Sequence, residues 1–206
     1  MCVKAGGPDP DTNSKLKDLI AKAKANNVPG DNIDRVIHKA ASSDSENYES
    51  ITYEGYGPSG VAVIVETATD NRNRTGSDLR HYFDKFGGNL GTTGCVSYMF
   101  ETKGIILIAA EGIDEDTIME DALESGADDI LVEDDLFEIQ TQPYTLHAVK
   151  EALEKAGYNI ENAEEEKVPS NYITLTNEDD VIKMNRLLEM LEDNDDVQNV
   201  WHNWDC

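Results

Sequence analysis

The chain has 206 residues, and its 17 Lys and Arg against 42 Asp and Glu give a formal net charge of −25. Nucleic-acid affinity comes largely from Lys and Arg side chains that displace counterions from phosphates, so this balance excludes a protein that coats nucleic acid with a uniformly basic surface. A hydrophobic content of 39%, with two Trp, eight Tyr and four Phe, indicates a globular chain rather than a disordered one.

The acidic charge is concentrated in the second half of the chain. Residues 1–49 hold seven basic and eight acidic side chains, and residues 50–102 hold four and six. Residues 103–170 hold four and nineteen, and residues 171–206 hold two and nine. An anionic partner is therefore expected on the first half, while the acidic half is expected to be a solvated surface or to bind a protein partner.

The cysteines and the apolar runs both argue against a secreted or membrane protein. Cys2, Cys95 and Cys206 are odd in number and far apart, which fits neither a disulfide framework nor a Cys-x-x-Cys metal pair. The longest apolar run, Gly104–Ala110, is far shorter than the ~20 residues that cross a bilayer, and the start lacks the apolar region of a signal peptide. We expect a soluble, reduced, cytoplasmic protein.

Two short helices are predicted near the start of the chain. Apolar residues recur at helical spacing within residues 12–27, and Val28-Pro29-Gly30 ends that helix. Asp31 caps a second helix, whose apolar stripe runs to Ala40. Together they form a helical hairpin that buries little alone and needs a packing partner. Residues 41–50, rich in Ser, Asp and Glu, have the composition of a linker.

From Ser50 the apolar residues alternate, which is typical of strands. Residues 51–56 and 61–66 are predicted strands on either side of a turn. A helix is predicted from Thr75 to the glycines that follow Phe86, and a third strand at Cys95–Glu101. This part of the chain therefore predicts β-β-α-β.

The next stretch predicts a complete βαββαβ unit, which is the ferredoxin-like arrangement. The predicted elements are, in order, a strand at 104–110, a helix at 114–125, strands at 129–133 and 136–141 with a turn at Asp134-Asp135, a helix at 144–156 and a strand at 162–168. Each helix ends at a glycine, Gly126 and Gly157, as expected of two similar halves.

The remaining residues predict a βαβ unit without a neighbouring mate, with a strand at 172–176, a helix at 179–192 and a strand at 197–201. The β-β-α-β of residues 51–101 supplies the mate, so we infer an insertion. The predicted fold class is α+β, with three parts: a short N-terminal helical domain (1–49), a discontinuous ferredoxin-like α+β domain (50–102 plus 171–206) and an inserted ferredoxin-like βαββαβ domain (103–170).

Four short signatures stand out: Gly6–Asn13, Tyr53–Gly60, Asp70–Thr75 and Gly87–Gly94. None is a Walker A loop, and none is a Rossmann GxGxxG placed between a strand and a helix. Taken singly, their glycines are most simply interpreted as residues that tight turns require.

The Asp70–Thr75 signature is a candidate anion site. Arg72 and Arg74 lie just before a predicted helix start, where backbone N–H groups favour anions, and Arg80 lies one to two turns into that helix. These arginines are candidate contacts for phosphate or for an acidic surface. The alternative is a capped, hydrogen-bonded loop whose arginines form salt bridges to Asp78 or Asp84.

The helical hairpin is a second candidate contact surface. It carries six basic side chains: Lys15, Lys17, Lys22, Lys24, Arg35 and Lys39. A basic hairpin resembles part of a nucleic-acid-binding head, and the alternative is an ordinary lysine-rich solvated face.

No residue pattern supports a metal, a cofactor or an enzyme. His38, His81, His147 and His202 lie on separate elements without ligand spacing. The acidic groups lack the pattern of a calcium loop, and neither a Gly-x-Ser-x-Gly elbow nor a local Cys/His pair occurs. We therefore expect no cofactor and no metal, and we nominate no catalytic residue.

In series, the four signatures resemble those of the YebC/PmpR family of transcriptional regulators and translational activators. The resemblance runs from Gly6 to Asn203 and includes the run Met-Leu-Glu-Asp-Asn-Asp-Asp-Val at Met190–Val197. It implies a helical domain and two α+β domains, one inserted in the other. The positions that match the family's loops are Gly55, Gly57, Gly60, Asn71, Asn73, Gly87, Gly88, Asn89 and Gly91.

The resemblance implies a DNA-binding regulator of gene expression, because members of the family are described as such in bacteria. The alternative within the family is a ribosome-associated translational activator that relieves stalling, since relatives that include a mitochondrial translational activator of cytochrome oxidase act on the ribosome. DNA, the ribosome or both are thus the expected partners, with no membrane and no indicated oligomeric state.

The sequence departs from the family at its start. Full-length members carry a basic stretch resembling Ala-Gly-His-Ser-Lys-Trp and a further helix upstream of the position that matches Val3, and both are absent here. The resemblance therefore implies a shortened N-terminal domain with less basic surface, in which the hairpin lacks its usual packing partner.

A function of a different class is a small-molecule-sensing module, because ferredoxin-like domains often bind amino acids at loops between strands and helices. Such a site needs a glycine-bearing loop after Gly104–Ala110, and Glu111-Gly112-Ile113 offers one glycine. Fold analogy alone supports this alternative.

Overall fold

The computed structural model describes residues 2–25, 27–41, 48–132 and 135–205. The predicted linker at 41–50 falls mainly outside these ranges, as does the first residue of the predicted turn at Asp134-Asp135. The helices are α1 (Cys2–Gly6), α2 (Ser14–Ala25), α3 (Gly30–Ala41), α4 (Arg72–Lys85), α5 (Glu115–Ser125), α6 (Leu146–Ala156) and α7 (Glu178–Glu192). The strands are β1 (Glu49–Tyr56), β2 (Ala62–Thr69), β3 (Asn89–Leu90), β4 (Phe100–Ala109), β5 (Asp129–Val132), β6 (Leu136–Thr141), β7 (Ile160–Pro169) and β8 (Val197–His202).

The three N-terminal helices pack on one another. Val3 of α1 and Leu16 of α2 are buried between them. Asn13 fastens the connection, because its side-chain amide donates to the carbonyls of Cys2 and Gly7 at 3.0 and 2.9 Å. The sequence predicts only the second and third of these helices, and the unpredicted α1 gives the hairpin a packing partner.

The first sheet has the strand order β3-β1-β2-β8, and all its neighbours are antiparallel. Helices α4 and α7 cover one face, where Phe83 and Leu187 lie in the core with Val63. The opposite face of β2 is also buried, since Ala62 and Ile64 pack against Val96. Burial on both faces explains why residues 61–65 are a continuous apolar run.

The second sheet has the strand order β5-β6-β4-β7, again antiparallel throughout. Helices α5 and α6 cover one face, and Ile106, Ile118, Ile139 and Leu153 fill the core between them. This is the ferredoxin-like order for a βαββαβ chain. The predicted α+β fold class is confirmed by the two four-stranded sheets and by the structural match reported below.

Two predicted strands are wrong. Residues 95–99 form turns and a short 3₁₀ segment at Ser97–Met99, and the two-residue strand β3 lies beside β1 in place of the predicted third strand. Residues 172–176 contribute only an isolated bridge from Ile173 to Trp204. Strand β4 begins at Phe100, so the predicted domain boundary after residue 102 falls inside a strand.

Candidate nucleic-acid interface

The cations of the helical hairpin are on its surface. Lys39 of α3 is exposed. Lys15, Lys17 and Lys24 of α2 and Arg35 of α3 are exposed too, and none of these four forms an ion pair with a residue that the structure describes. The four side chains are therefore available to an anionic partner.

Lys22 differs from the other hairpin cations because it reaches the second sheet. Its ammonium group pairs with the carboxylate of Glu164 on β7. The helical hairpin is thus linked ionically to the acidic part of the molecule.

The Asp70–Thr75 signature forms the start of α4. Asn71 is the N-cap, and its side-chain oxygen accepts a hydrogen bond from the backbone N–H of Arg74 at 3.1 Å. Asn73 is exposed in the first turn. The helix begins at Arg72 rather than at Thr75, because the Asn71 cap satisfies an N–H group of the first turn.

Arg74 is held by carboxylates on both sides. Its guanidinium donates to Asp70 Oδ1 at 2.8 Å and to both oxygens of Asp196 at 3.0 and 2.8 Å. Asp196 is 8% exposed and also accepts hydrogen bonds from the hydroxyls of Thr69 and Thr75, at 3.2 and 2.6 Å. Arg74 therefore joins α4 to the turn before β8, and its charge is compensated.

Asp196 stays ionised through this network. Burial alone would raise the pKa of its carboxyl group, but the Arg74 guanidinium and the hydroxyls of Thr75 and Thr69 hold the pKa below its ordinary value. In the sequence Asp196 belongs to the Met190–Val197 run, and that run alone assigns it no role. Its role becomes visible only in the tertiary structure, because its donors Thr69, Arg74 and Thr75 are more than 120 residues earlier in the chain.

Arg72 and Arg80 have no such partners among the described residues. They lie four residues before and four residues after Gly76, so the three positions share one face of α4. The ring of Tyr53 crosses the helix at Gly76, where an added Cβ would lie 3.3 Å from the Tyr53 hydroxyl. That hydroxyl donates to the Arg72 carbonyl at 3.3 Å.

The two arginines act electrostatically on Tyr53 from either side. Burial raises the pKa of the Tyr53 hydroxyl, Arg72 and Arg80 oppose this rise, and Glu49 adds to it. The hydroxyl therefore stays protonated and donates to the Arg72 carbonyl. We call Tyr53, Arg72 and Arg80 the α4 face.

The glycine signatures build the edge of the first sheet rather than a phosphate loop. An added Cβ at Gly55 would lie 2.6 Å from the Asn89 carbonyl oxygen, and one at Gly88 would lie 2.3 Å from the Tyr56 carbonyl oxygen. Backbones approach so closely here that no side chain fits. The other glycines of the Tyr53–Gly60 and Gly87–Gly94 signatures lie in the turns and loops around these strands: Gly57, Gly60, Gly87, Gly91 and Gly94.

Glu54 is a second residue that sequence reasoning missed. It is 3% exposed, and its carboxylate accepts hydrogen bonds from the backbone N–H groups of Gly94, Val96 and Ser97 at 2.7, 2.9 and 2.9 Å. Burial alone would raise the pKa of Glu54, but these donors hold it below its ordinary value. The carboxylate thus fixes the loop after β3.

A cleft of about 220 Å³ lies between the two sheets. Glu138 and Glu166 of the second sheet face Trp201 and His202 of β8 across it, and Tyr172 lies at its edge. Burial raises the pKa of Glu166, and the charges of Glu138 and Glu164 raise it further. Lys167 also lines the cleft, but the two glutamates outnumber it, so the cleft disfavours phosphate.

The described ranges hold neither a metal cluster nor a membrane span. No three His, Cys, Asp or Glu side chains there are grouped to hold a metal ion. No helix in those ranges is long and apolar enough to span a bilayer.

Two family models match nearly the whole chain. Residues 1–43 match the TACO1/YebC protein N-terminal domain, and residues 48–204 match the TACO1/YebC second and third domain. A probable transcriptional regulatory protein of Acetivibrio thermocellus is 59% identical over 206 residues, which cover 99% of this chain and 85% of that protein.

Further similar proteins agree with this match. A probable transcriptional regulatory protein of Caldicellulosiruptor bescii is 57% identical over 207 residues, covering 100% of this chain and 85% of that protein. The crystal structure of the conserved hypothetical protein Aq1575 from Aquifex aeolicus superposes with a TM-score of 0.91 at 44% identity, covering 100% of this chain and 85% of that one.

Proposed function

This chain belongs to the TACO1/YebC family, and we propose from that membership that it regulates gene expression by binding DNA through the helical hairpin and the α4 face. Its relatives carry the name probable transcriptional regulatory protein, which supports a role in transcription. The contacts to nucleic acid are assigned to exposed cations of these two surfaces.

The distribution of uncompensated positive charge carries the proposal. In a molecule with a net charge of −25, the hairpin lysines Lys15, Lys17 and Lys24 and the arginines Arg72 and Arg80 form no ion pair within the described ranges. A paired cation gains little binding free energy from a phosphate, because it must first break its ion pair with a carboxylate. An unpaired cation has no such cost when it displaces the counterions condensed on the nucleic acid.

The α4 face suits an extended phosphate backbone. Arg72 and Arg80 are eight residues apart, which separates their Cα atoms by about 12 Å along the helix axis. The Tyr53 hydroxyl donates its one proton to the Arg72 carbonyl, so Tyr53 supports the start of α4 and the two guanidinium groups are the phosphate contacts. Arg74 has a positioning role in this proposal, because Asp70 and Asp196 already compensate its charge.

The test is binding to a duplex DNA oligonucleotide of mixed sequence between ~50 and ~200 mM salt. The double variant Arg72→Ala with Arg80→Ala is expected to reduce the magnitude of the negative slope of log K against log salt by about 2. Changing the three hairpin lysines to Ala is expected to reduce that magnitude by about 3. Lys150→Ala with Lys155→Ala in α6 is the control for loss of two cations and should leave the slope unchanged. Equal slopes in all variants would contradict the proposal.

A structured RNA of the same length distinguishes the translational alternative. Preferential binding to DNA supports a transcriptional role, whereas preference for RNA that depends on the same residues would replace it with a ribosome-associated one. The probe is the full chain in both cases, with unfolding midpoints measured for each variant.

A further inference from the structure

The ion pair between Lys22 and Glu164 joins parts of the chain that are 142 residues apart. The Lys22 side chain is 56% exposed and that of Glu164 is 34% exposed, so both ends are accessible to solvent. Lys22 belongs to the basic hairpin, and Glu164 belongs to the most acidic part of the molecule.

Glu164 is part of a continuous acidic surface on the second sheet. In the strand register Ile105 is opposite Glu164, Lys103 is opposite Glu166, and Leu107 is opposite Glu138. Because side chains alternate along a strand, the three glutamates share the face that is not covered by α5 and α6. We call Glu138, Glu164 and Glu166 the acidic sheet face.

This face carries more negative charge than its neighbours neutralise. Burial raises the pKa of Glu166, Glu138 and Glu164 raise it further, and Lys22 acts in the opposite direction. Lys103, the basic residue on the same face, donates instead to the side-chain oxygen of Gln140. A cation from outside the sheet therefore relieves repulsion among the three carboxylates.

Apolar packing holds the hairpin weakly. Helix α3 has no buried residue, and Leu19, Val28 and Val36 are exposed. An ionic contact is easily exchanged, because charged partners in solution can replace it without opening an apolar core.

We propose that the acidic sheet face holds the basic hairpin in place of a nucleic acid, so that phosphates and Glu164 compete for Lys22. The inference rests on the proposed function. In the free protein the Lys22–Glu164 contact is closed, and binding of a nucleic acid opens it. The apparent association constant for nucleic acid is then the intrinsic constant multiplied by the fraction of molecules in the open state.

The competition can be tested with two adjacent residues of β7. Glu164→Gln removes the carboxylate charge that pairs with Lys22 on the acidic sheet face. Glu165→Gln removes the same charge from the opposite face of the strand, where Glu165 is exposed and pairs in register with Gly104. Glu164→Gln is expected to raise affinity for duplex DNA about two- to fivefold at ~0.1 M salt, the range that one exposed ion pair supplies. Glu165→Gln is expected to leave affinity within experimental error.

A second measurement needs no mutation. A carbodiimide joins an amine to a carboxylate in direct contact, so mass spectrometry of the treated free protein should detect a Lys22–Glu164 link. Saturating duplex DNA should suppress that link and spare a Lys155–Glu151 link, which forms within α6.

The outcomes separate this inference from the proposed function. Equal affinities of the Glu164→Gln and Glu165→Gln variants, or a Lys22–Glu164 link that persists in saturating DNA, would overturn the competition while DNA binding remains. Failure of every variant to bind nucleic acid at low salt would overturn both, and the link in the free protein would then report only a structural contact.

Discussion

Asp196 and Glu54 are both nearly buried, and each gathers donors from residues distant in sequence. Their positions give two of the four signatures a structural role: the Asp70–Thr75 signature supplies donors to Asp196, and the Tyr53–Gly60 signature contains Glu54.

Asp196→Asn is expected to destabilise the protein by about 1–3 kcal/mol, because charge-assisted hydrogen bonds to Arg74, Thr69 and Thr75 are weakened in a nearly buried site. Urea unfolding measures the loss. The exposed neighbour Asp195 provides the control, and Asp195→Asn should change the free energy of unfolding by less than ~0.5 kcal/mol.

Glu54 should make stability depend on pH. Its folded pKa is lowered, so its contribution is present above the unfolded value of about 4.3 and is lost as pH falls through the folded pKa. The free energy of unfolding, measured in urea from neutral pH downward, should fall below about pH 4.3 more steeply in the wild type than in Glu54→Gln. Parallel curves would show that the three N–H donors do not stabilise the ionised form.

At the scale of elements, the periodicity of apolar residues predicts a strand or helix correctly where one of its faces is buried. Every helix of the two α+β parts was predicted within a few residues, because their apolar stripes reach the core. The strand predicted at Cys95–Glu101 was wrong for a specific reason. The Glu54 carboxylate takes the N–H groups of Val96 and Ser97, so these groups cannot pair with a neighbouring strand.

The candidate site was only partly predictable, because here too a carboxylate distant in the sequence changes the role of a residue. In the sequence Arg74 lies four residues after Asp70 and Arg80 lies four residues before Asp84, so local spacing does not single out Arg74. Asp196, which compensates Arg74, is 122 residues further along the chain. Only the tertiary fold separates the compensated arginine from the two arginines of the α4 face, which have no ion-pair partner within the described ranges.

The edge of the first sheet gives a prediction at this scale. Gly88→Ala is expected to cost more than about 2 kcal/mol, because its Cβ would lie 2.3 Å from the Tyr56 carbonyl oxygen and the β1–β3 edge must shift. Gly30→Ala is the matched control, since an added Cβ at the start of α3 meets no atom within 4 Å. Thermal unfolding of both variants measures the difference.

At the scale of the whole molecule, we propose that the inserted domain folds by itself. Its core is formed by its own helices and strands, including Ile106, Ile139 and Leu153. A fragment of residues 99–170 should unfold cooperatively in urea with native circular dichroism. A fragment of residues 103–170 should be less stable, because it lacks the residues of β4 that pair with Lys167, Val168 and Pro169. A non-cooperative transition in the longer fragment would contradict independent folding.

Strands β4 and β7 also have a consequence for how the chain folds. Phe100 pairs in register with Pro169, and the backbone N–H of Ser170 donates to the Met99 carbonyl at 2.8 Å. A connection of about 70 residues with free ends would carry about 3 kcal/mol more loop-closure entropy than one of about two residues, since each doubling of length costs about 0.6 kcal/mol. Once β4 and β7 pair, the ends of this connection are already held together by the second sheet, so pairing in the first sheet carries no further cost for closing it. Strand β8 can then reach β2 as though the two halves of the first sheet were joined by a short turn.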